Sequence, residues 1–329
     1  EIEWLVNIGL PTASYDDQEL TDAYEDAIQT AWAISVLPGA ITLSRVREYL
    51  YNIVVDPDKL PEAYANRFLD RELITCLPEF AVQLVGYVRS PRRQESLHIL
   101  IDIGAGTFDI TSFNVYRHRE TGEDRFPIFE NRVEKLGVRF LLAHREKGAG
   151  KNDVCSPFEE IPPAREYARL ANICGEQLEE IDEEFEGRIR DLILDTMKYT
   201  KEYRHPIYTQ WENGVPTFYC GGGASVDFYK RVFEYFEKRN PPFKFNHVRL
   251  EKPDDLDAPR LPADTYDRLS VAYGLSYDPF DIGEIMKKSE VTDATWSKGD
   301  GGMRQCPRCH GTGGATGGCL ACNGSGIQR

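Results

Sequence analysis

The sequence predicts an α/β fold with a small cysteine-rich module at its C-terminal end. Three observations carry this. Residues 99–111 read as strand, glycine turn and returning strand, while residues 215–239 read as strand, glycine turn and helix. Residues 164–203 are strongly helical, with Leu178, Ile181, Phe185, Ile189, Leu192, Ile193 and Met197 at helical spacing. In residues 299–326, by contrast, ten glycines and four cysteines leave almost no apolar core.

Composition narrows the class. The 329 residues suffice for two packed lobes, or one lobe and a smaller module. No apolar stretch approaches the roughly 20 residues needed to span a bilayer, and no signal-peptide pattern opens the chain. The net charge of −15 argues against extended binding to nucleic-acid phosphates. Cys76, Cys155, Cys174 and Cys220 are scattered without disulfide-framework spacing, so a cytoplasmic, reduced protein is expected.

Taken in order, residues 4–10 form a short apolar strand closed by Pro11. Ser14 suits an N-cap, with Asp16 and Asp17 in the positive first turn of a helix reaching about residue 35. A short helix is expected over 44–52, then a loop punctuated by Pro57 and Pro61. Pro78, Glu79 and Phe80 open an apolar helix through Val88. After the 99–111 hairpin, residues 126–135 alternate as a strand. Leu136 and Gly137 lead into a helix over 139–147, and 148–163 is loop. The charges of 176–199 read as a solvated helix face. The helix after the second glycine turn runs from 226 to about 239, where Pro241 and Pro242 end it. Residues 248–250 suit one more strand. Residues 266–277 suit a helix whose Ser270, Ala272 and Gly274 allow close packing. A linker is expected over 283–302.

The first glycine turn carries the most chemistry. A strand ends at Asp102; Gly104, Ala105 and Gly106 turn the chain; Thr107 and Asp109 follow. Glycine lets the backbone turn sharply and approach a ligand, and successive N–H groups in such a turn form an anion site. Two carboxylates beside a phosphate cradle require a cation, and Mg²⁺ is the usual one. The plainer reading is a β-hairpin with a glycine turn; the full D-x-G-x-G-T-x-D string after an apolar strand is far more specific. In the second turn, Gly221, Gly222, Gly223, Ala224 and Ser225 feed a helix N-terminus, which also favours an anion. Two such turns in one α/β chain can face each other across a cleft.

These residues resemble the actin-like ATPase superfamily, which has a ribonuclease H-like fold and includes the DnaK-type heat-shock chaperones and the MreB and ParM filament proteins. Residues 101–111 are similar to its second phosphate motif, 218–229 to its adenosine motif and 269–276 to the helix that follows. Pro78 and Glu79 resemble the connecting segment, and Leu136 and Gly137 the start of the smaller upper subdomain. The matches keep the family's order over about residues 1–280. The resemblance implies ATP or ADP with Mg²⁺. Asp102 would hold the metal through water or orient the attacking water, Asp109 would position metal or nucleophile, and Gly104, Ala105, Gly106 and Thr107 would meet the β- and γ-phosphates. Gly221, Gly222, Gly223 and Ser225 would face ribose and α-phosphate. It implies the end of a first lobe over 1–96 and a second lobe over 97–282, with its upper subdomain at about 133–205. Ala105 replaces a glycine common in the chaperones. The family's first phosphate hairpin has no counterpart before Asp102, and the chain opens on Glu1 without a methionine, so half a nucleotide site is expected.

Residues 303–329 form the expected zinc module. Cys306, Cys309, Cys319 and Cys322 fall in two C-x-x-C-x-G-x-G octets, a spacing that matches a closed, tetrahedral, structural Zn²⁺ site. The octets resemble the zinc domain of DnaJ-type co-chaperones. The expected function is a slow, chaperone-like ATPase that couples nucleotide state to binding of a protein or peptide client, with room for a co-chaperone. The alternatives are a filament-forming or scaffolding actin-like protein and a non-hydrolysing adaptor. Neither membrane nor nucleic acid is an expected partner.

Overall fold

A computed structural model describes residues 4–62, 69–118, 120–156, 161–206, 208–260 and 262–291. The four clustered cysteines lie outside the described residues, as does residue 292 onward of the expected linker.

Two sheets organise the chain. In the smaller, β1 (Val6–Leu10) runs parallel to β2 (Ile74–Pro78). β2 is missing from the sequence reading: five residues ending in proline carry no periodicity that separates them from loop. α1 (Gln18–Val36) and α2 (Leu43–Val55) intervene and pack through Ala33, Ile34, Leu37 and Tyr49. The cap of α1 is Asp17, whose carboxylate accepts the Leu20 N–H at 3.1 Å, and not Ser14. Ser14 closes a 3-10 turn over Thr12–Ser14. β2 passes straight into α3 (Glu79–Gln83) and α4 (Val85–Val88), separated at Leu84 where a single helix is expected.

The larger sheet contains β3 (Leu97–Ile103), β4 (Phe108–Asn114), β5 (Tyr116–Arg117), β6 (Asp124–Glu134), β7 (Val215–Cys220), β8 (Phe245–His247) and β9 (Glu284–Met286). Its order is β5-β6-β4-β3-β7-β8, with β9 joining β6. β3 lies between β4, antiparallel, and β7, parallel. Around the sheet stand α5 (Val138–Ala149), α6 (Ala164–Ala171), α7 (Gly175–Tyr199), α8 (Tyr208–Glu212), α9 (Asp227–Glu237), α10 (Ser270–Leu275) and α11 (Pro279–Ile282). Ile99, Ile101 and Ile103 pack with Phe185, Ile189 and Ile193 of α7 and with Val232 and Phe236 of α9. Leu100 joins Phe80 and Val82 of α3 on the opposite face. Both faces are covered, so β3 reads in sequence as an apolar run rather than an alternation.

Five further differences from expectation follow. The helical stretch over 164–203 is two helices, because Asn172 at φ +55° ends α6 in the left-handed conformation. A short helix, α8, absent from the sequence analysis, precedes β7. The strand expected at 248–250 lies three residues earlier, where Phe245 is buried and pairs with Val215. Finally, residues 284–286 pair with β6 instead of joining a linker, and Lys288 Nζ lies 2.7 Å from the Glu130 carboxylate. Residues 266–277 split into a 3-10 turn (Ala263–Arg268) and α10, with the close packing that their small residues predict. A Cβ at Gly274 would sit 2.0 Å from the Val82 carbonyl oxygen. No helix of the described residues is long and apolar enough to cross a membrane.

Candidate functional site

The β3–β4 turn places its backbone donors and acceptors asymmetrically. Gly137, Val138 and Arg139, at the start of α5, donate their N–H groups to the carbonyls of Gly106, Gly104 and Ala105 at 3.4, 3.1 and 2.8 Å. The Gly104 N–H closes the turn on the Thr107 carbonyl at 3.0 Å. The N–H groups of Ala105, Gly106 and Thr107 donate to nothing among the described residues. A turn whose acceptors are engaged and whose donors are spare is suited to an anion. Gly137 makes the grip possible: a Cβ there would lie 2.6 Å from both the Gly106 carbonyl carbon and the Thr107 nitrogen.

The second turn lies against the first strand. Gly221 has φ +77°, and a Cβ on it would meet Asp102 Oδ1 at 2.4 Å and the Ile103 carbonyl oxygen at 2.5 Å. A Cβ on Gly223 would meet Ile103 Cγ2 at 2.3 Å, whereas one on Gly222 would enter open space. Gly221 and Gly223 therefore allow the β7 turn to approach β3, and Gly222 leaves open room beside it. The glycines do not feed the helix directly. Gly222–Ser225 is a 3-10 turn, α9 starts only at Asp227, and the Ser225 hydroxyl donates to the Gly222 carbonyl at 2.8 Å. Gly104, Ala105, Gly222, Gly223 and Ser225 line one cleft of about 990 Å³, so the two turns do share a cavity.

Arg145, Arg231 and Arg268 also line this cleft. Arg145 of α5 is buried and donates through Nε and Nη2 to both oxygens of Asp182 on α7, each at 2.7 Å. Arg231 of α9 reaches the same carboxylate at 3.2 Å. Sequence reasoning misses this trio and assigns Asp182 to the solvated face of its helix. Three residues on three helices share no sequence spacing; the available hint is that Asp182 follows Ile181 on the apolar side of α7.

Four carboxylates gather behind the first turn. Asp102 stands opposite Asp109 in the β3–β4 register. Burial raises the Asp102 pKa, the Gln83 amide that donates to Oδ2 opposes this, and Asp267 raises it further. Asp109 is pushed up to about 7, first by burial; the Thr107 hydroxyl bond at 3.0 Å opposes the rise, and Asp102 and Glu79 add to it. Glu79 is raised by burial and then by Asp102. Asp109 Oδ1 is buried without a hydrogen-bond partner. Such crowding would be relieved by a cation. Among the described residues no three or more His, Cys, Asp or Glu side chains are placed to hold a metal ion directly. One or two of these carboxylates, with water and ligand phosphates, would suit Mg²⁺, the usual manner for this ion. Gln83, buried on α3, is another site residue that sequence reasoning misses, because it reads as part of an apolar helix.

No protein-family model matches the sequence, and no curated protein matches it. Similar solved structures include MreB5 of Spiroplasma citri bound to AMPPNP, 15% identical, covering 81% of this chain and 76% of that one at a TM-score of 0.41. A PilM–PilN type IV pilus biogenesis complex is 12% identical over 82% of this chain and 74% of that chain, at 0.38. A ParM filament from Clostridium botulinum is 15% identical over 64% and 55%, at 0.34. Likenesses this distant transfer no residue, ligand or activity to this chain.

Proposed function

We propose that the cleft forms one side of an ATP–Mg²⁺ site and that the protein is an actin-like ATPase. The observation that carries this reading is the Ala105–Gly106–Thr107 backbone, with spare N–H groups beside carboxylates that crowd one another. Phosphates would take the donors, and the cation would offset the mutual crowding of Asp102 and Asp109. Catalysis at such a site is positioning plus electrostatic stabilisation of phosphoryl transfer to water. Asp102 orients water or metal, held in place by Gln83. Asp102→Asn keeps the shape and removes the charge, and it is expected to lower phosphate release by at least about 100-fold. Undiminished release by this variant overturns the catalytic assignment, and failure of the unaltered protein to bind labelled ATP overturns the nucleotide reading itself.

In the chaperone-like form of this reading, nucleotide state controls binding of a protein or peptide client. The Cys306, Cys309, Cys319 and Cys322 thiolates hold one structural Zn²⁺ in an interaction module. Metal analysis of the purified protein is expected to find about one zinc per chain; a value near zero rejects the module. A second reading is a nucleotide-binding scaffold or filament protein. Nucleotide-dependent light scattering at high protein concentration separates the two. An adaptor that binds ATP without turning it over is distinguished by binding without phosphate release.

A further inference from the structure

Arg145, Arg231 and Arg268 line the cleft, and the first two are committed to a carboxylate. Arg145 gives two hydrogen bonds to the buried Asp182, and Arg231 adds a third. Arg268 is exposed, lines the same cleft as Gly104 and Ala105, and has no ion pair among the described residues.

The fold behind Arg268 fixes its place. It closes the 3-10 turn Ala263–Arg268, just before α10. Tyr266 of that turn is buried in the core, and its carbonyl accepts the Leu269 N–H at 2.8 Å. The buried Ser270 hydroxyl donates to the Asp267 carbonyl at 2.7 Å. α10 in turn packs on Val82 of α3, whose next residue, Gln83, holds Asp102. The turn is thus keyed to the same helix that positions the first carboxylate. Asp267 marks the spot: burial raises the Asp102 pKa first, and the Asp267 charge adds to this against the Gln83 bond. Residues 267 and 268 accordingly stand at the Asp102 end of the cleft.

Charge gives Arg268 a task there. Terminal phosphates would bring further negative charge up to Asp102, Asp109, Glu79 and Asp267. The spare amides of the first turn supply dipoles, and a divalent cation offsets part of the excess. An arginine supplies a full positive charge and a planar fork of N–H donors that matches phosphate oxygens. We propose that Arg268 binds the β- and γ-phosphates together with the Ala105–Thr107 amides, so that the site selects nucleotides by their number of phosphates. The inference rests on the nucleotide reading above, and adds to it a residue that sequence reasoning places within a packing helix.

Competitive binding of ATP and AMP to the full chain in Mg²⁺ tests this. The unaltered protein is expected to prefer ATP. Arg268→Gln is expected to weaken ATP binding at least about tenfold and AMP binding less than about twofold, with an unchanged urea midpoint. Arg268→Lys keeps the charge without the fork and is expected to lose no more than about threefold for ATP. Equal losses for ATP and AMP in Arg268→Gln overturn the proposal, because the side chain then acts on the α-phosphate, the nucleoside or the fold. An unchanged ATP affinity, a lysine variant as weak as the glutamine one, or an unaltered protein that binds ATP and AMP alike overturns it as well, and in each of these cases the nucleotide reading stands. Failure of the unaltered protein to bind ATP is a distinct result, which removes that reading and this inference with it.

Discussion

Gly221→Ala is expected to destabilise the protein by about 3–5 kcal/mol, while Gly222→Ala, one residue on, costs less than about 1 kcal/mol. The difference follows from the backbone alone. At φ +77° and ψ 162°, Gly221 occupies a region open essentially to glycine, where a side chain costs about 1–3 kcal/mol. The new methyl would also lie 2.4 Å from Asp102 Oδ1 and 2.5 Å from the Ile103 carbonyl oxygen. Neither atom can easily yield, because Ile103 ends a central strand and Asp102 is held by Gln83. Overpacking of this kind adds about 1–3 kcal/mol. Gly222 has open space around its Cα and no positive φ. Urea unfolding of the two variants checks the pair, and equal losses would refute the close-approach role given to Gly221. Since the clash displaces the Asp102 carboxylate, Gly221→Ala should impair nucleotide binding too, in whatever fraction stays folded.

The first turn was legible in sequence because its chemistry is local. Asp102, Gly104, Gly106, Thr107 and Asp109 are contiguous, and a strand–turn–strand fixes their relation before any tertiary contact forms. That the two glycine turns share a cleft follows from β3 and β7 being parallel neighbours, with Asp102 registered on Cys220. What stayed hidden depends on distant partners. β2 is a strand only because β1 lies beside it, and β9 only because β6 does. Gln83 and Asp182 look like ordinary helix residues until the fold buries them beside Asp102 and Arg145. Some limits were also local but finely balanced. Ser14 and Asp17 both suit a cap, and the carboxylate three residues nearer the apolar run prevails because it meets the α1 dipole with a full charge.

Asp182→Ala should cost about 3–5 kcal/mol, whereas Arg145→Met combined with Asp182→Leu should cost much less. Arg145 is 2% exposed and its guanidinium uses both oxygens of Asp182. Removing the carboxylate strands a buried cation, whereas replacing both groups by apolar side chains removes the desolvation penalty together with the attraction. Arg231 suffers less in either case, because its side chain is 47% exposed and water can replace the lost partner. A double-mutant cycle read by urea unfolding separates these terms; a double variant as unstable as the single would show that the pair contributes shape and not charge. The consequence reaches the cleft. Asp182 ties α5 to α9, and α5 is the helix whose first N–H groups occupy the carbonyls of Gly104, Ala105 and Gly106. Loosening α5 releases those carbonyls and with them the orientation of the spare amides. Phosphate affinity should therefore fall in Asp182→Ala, although the loss of a neighbouring negative charge would by itself raise it, and recover in the paired variant, where α5 is packed again.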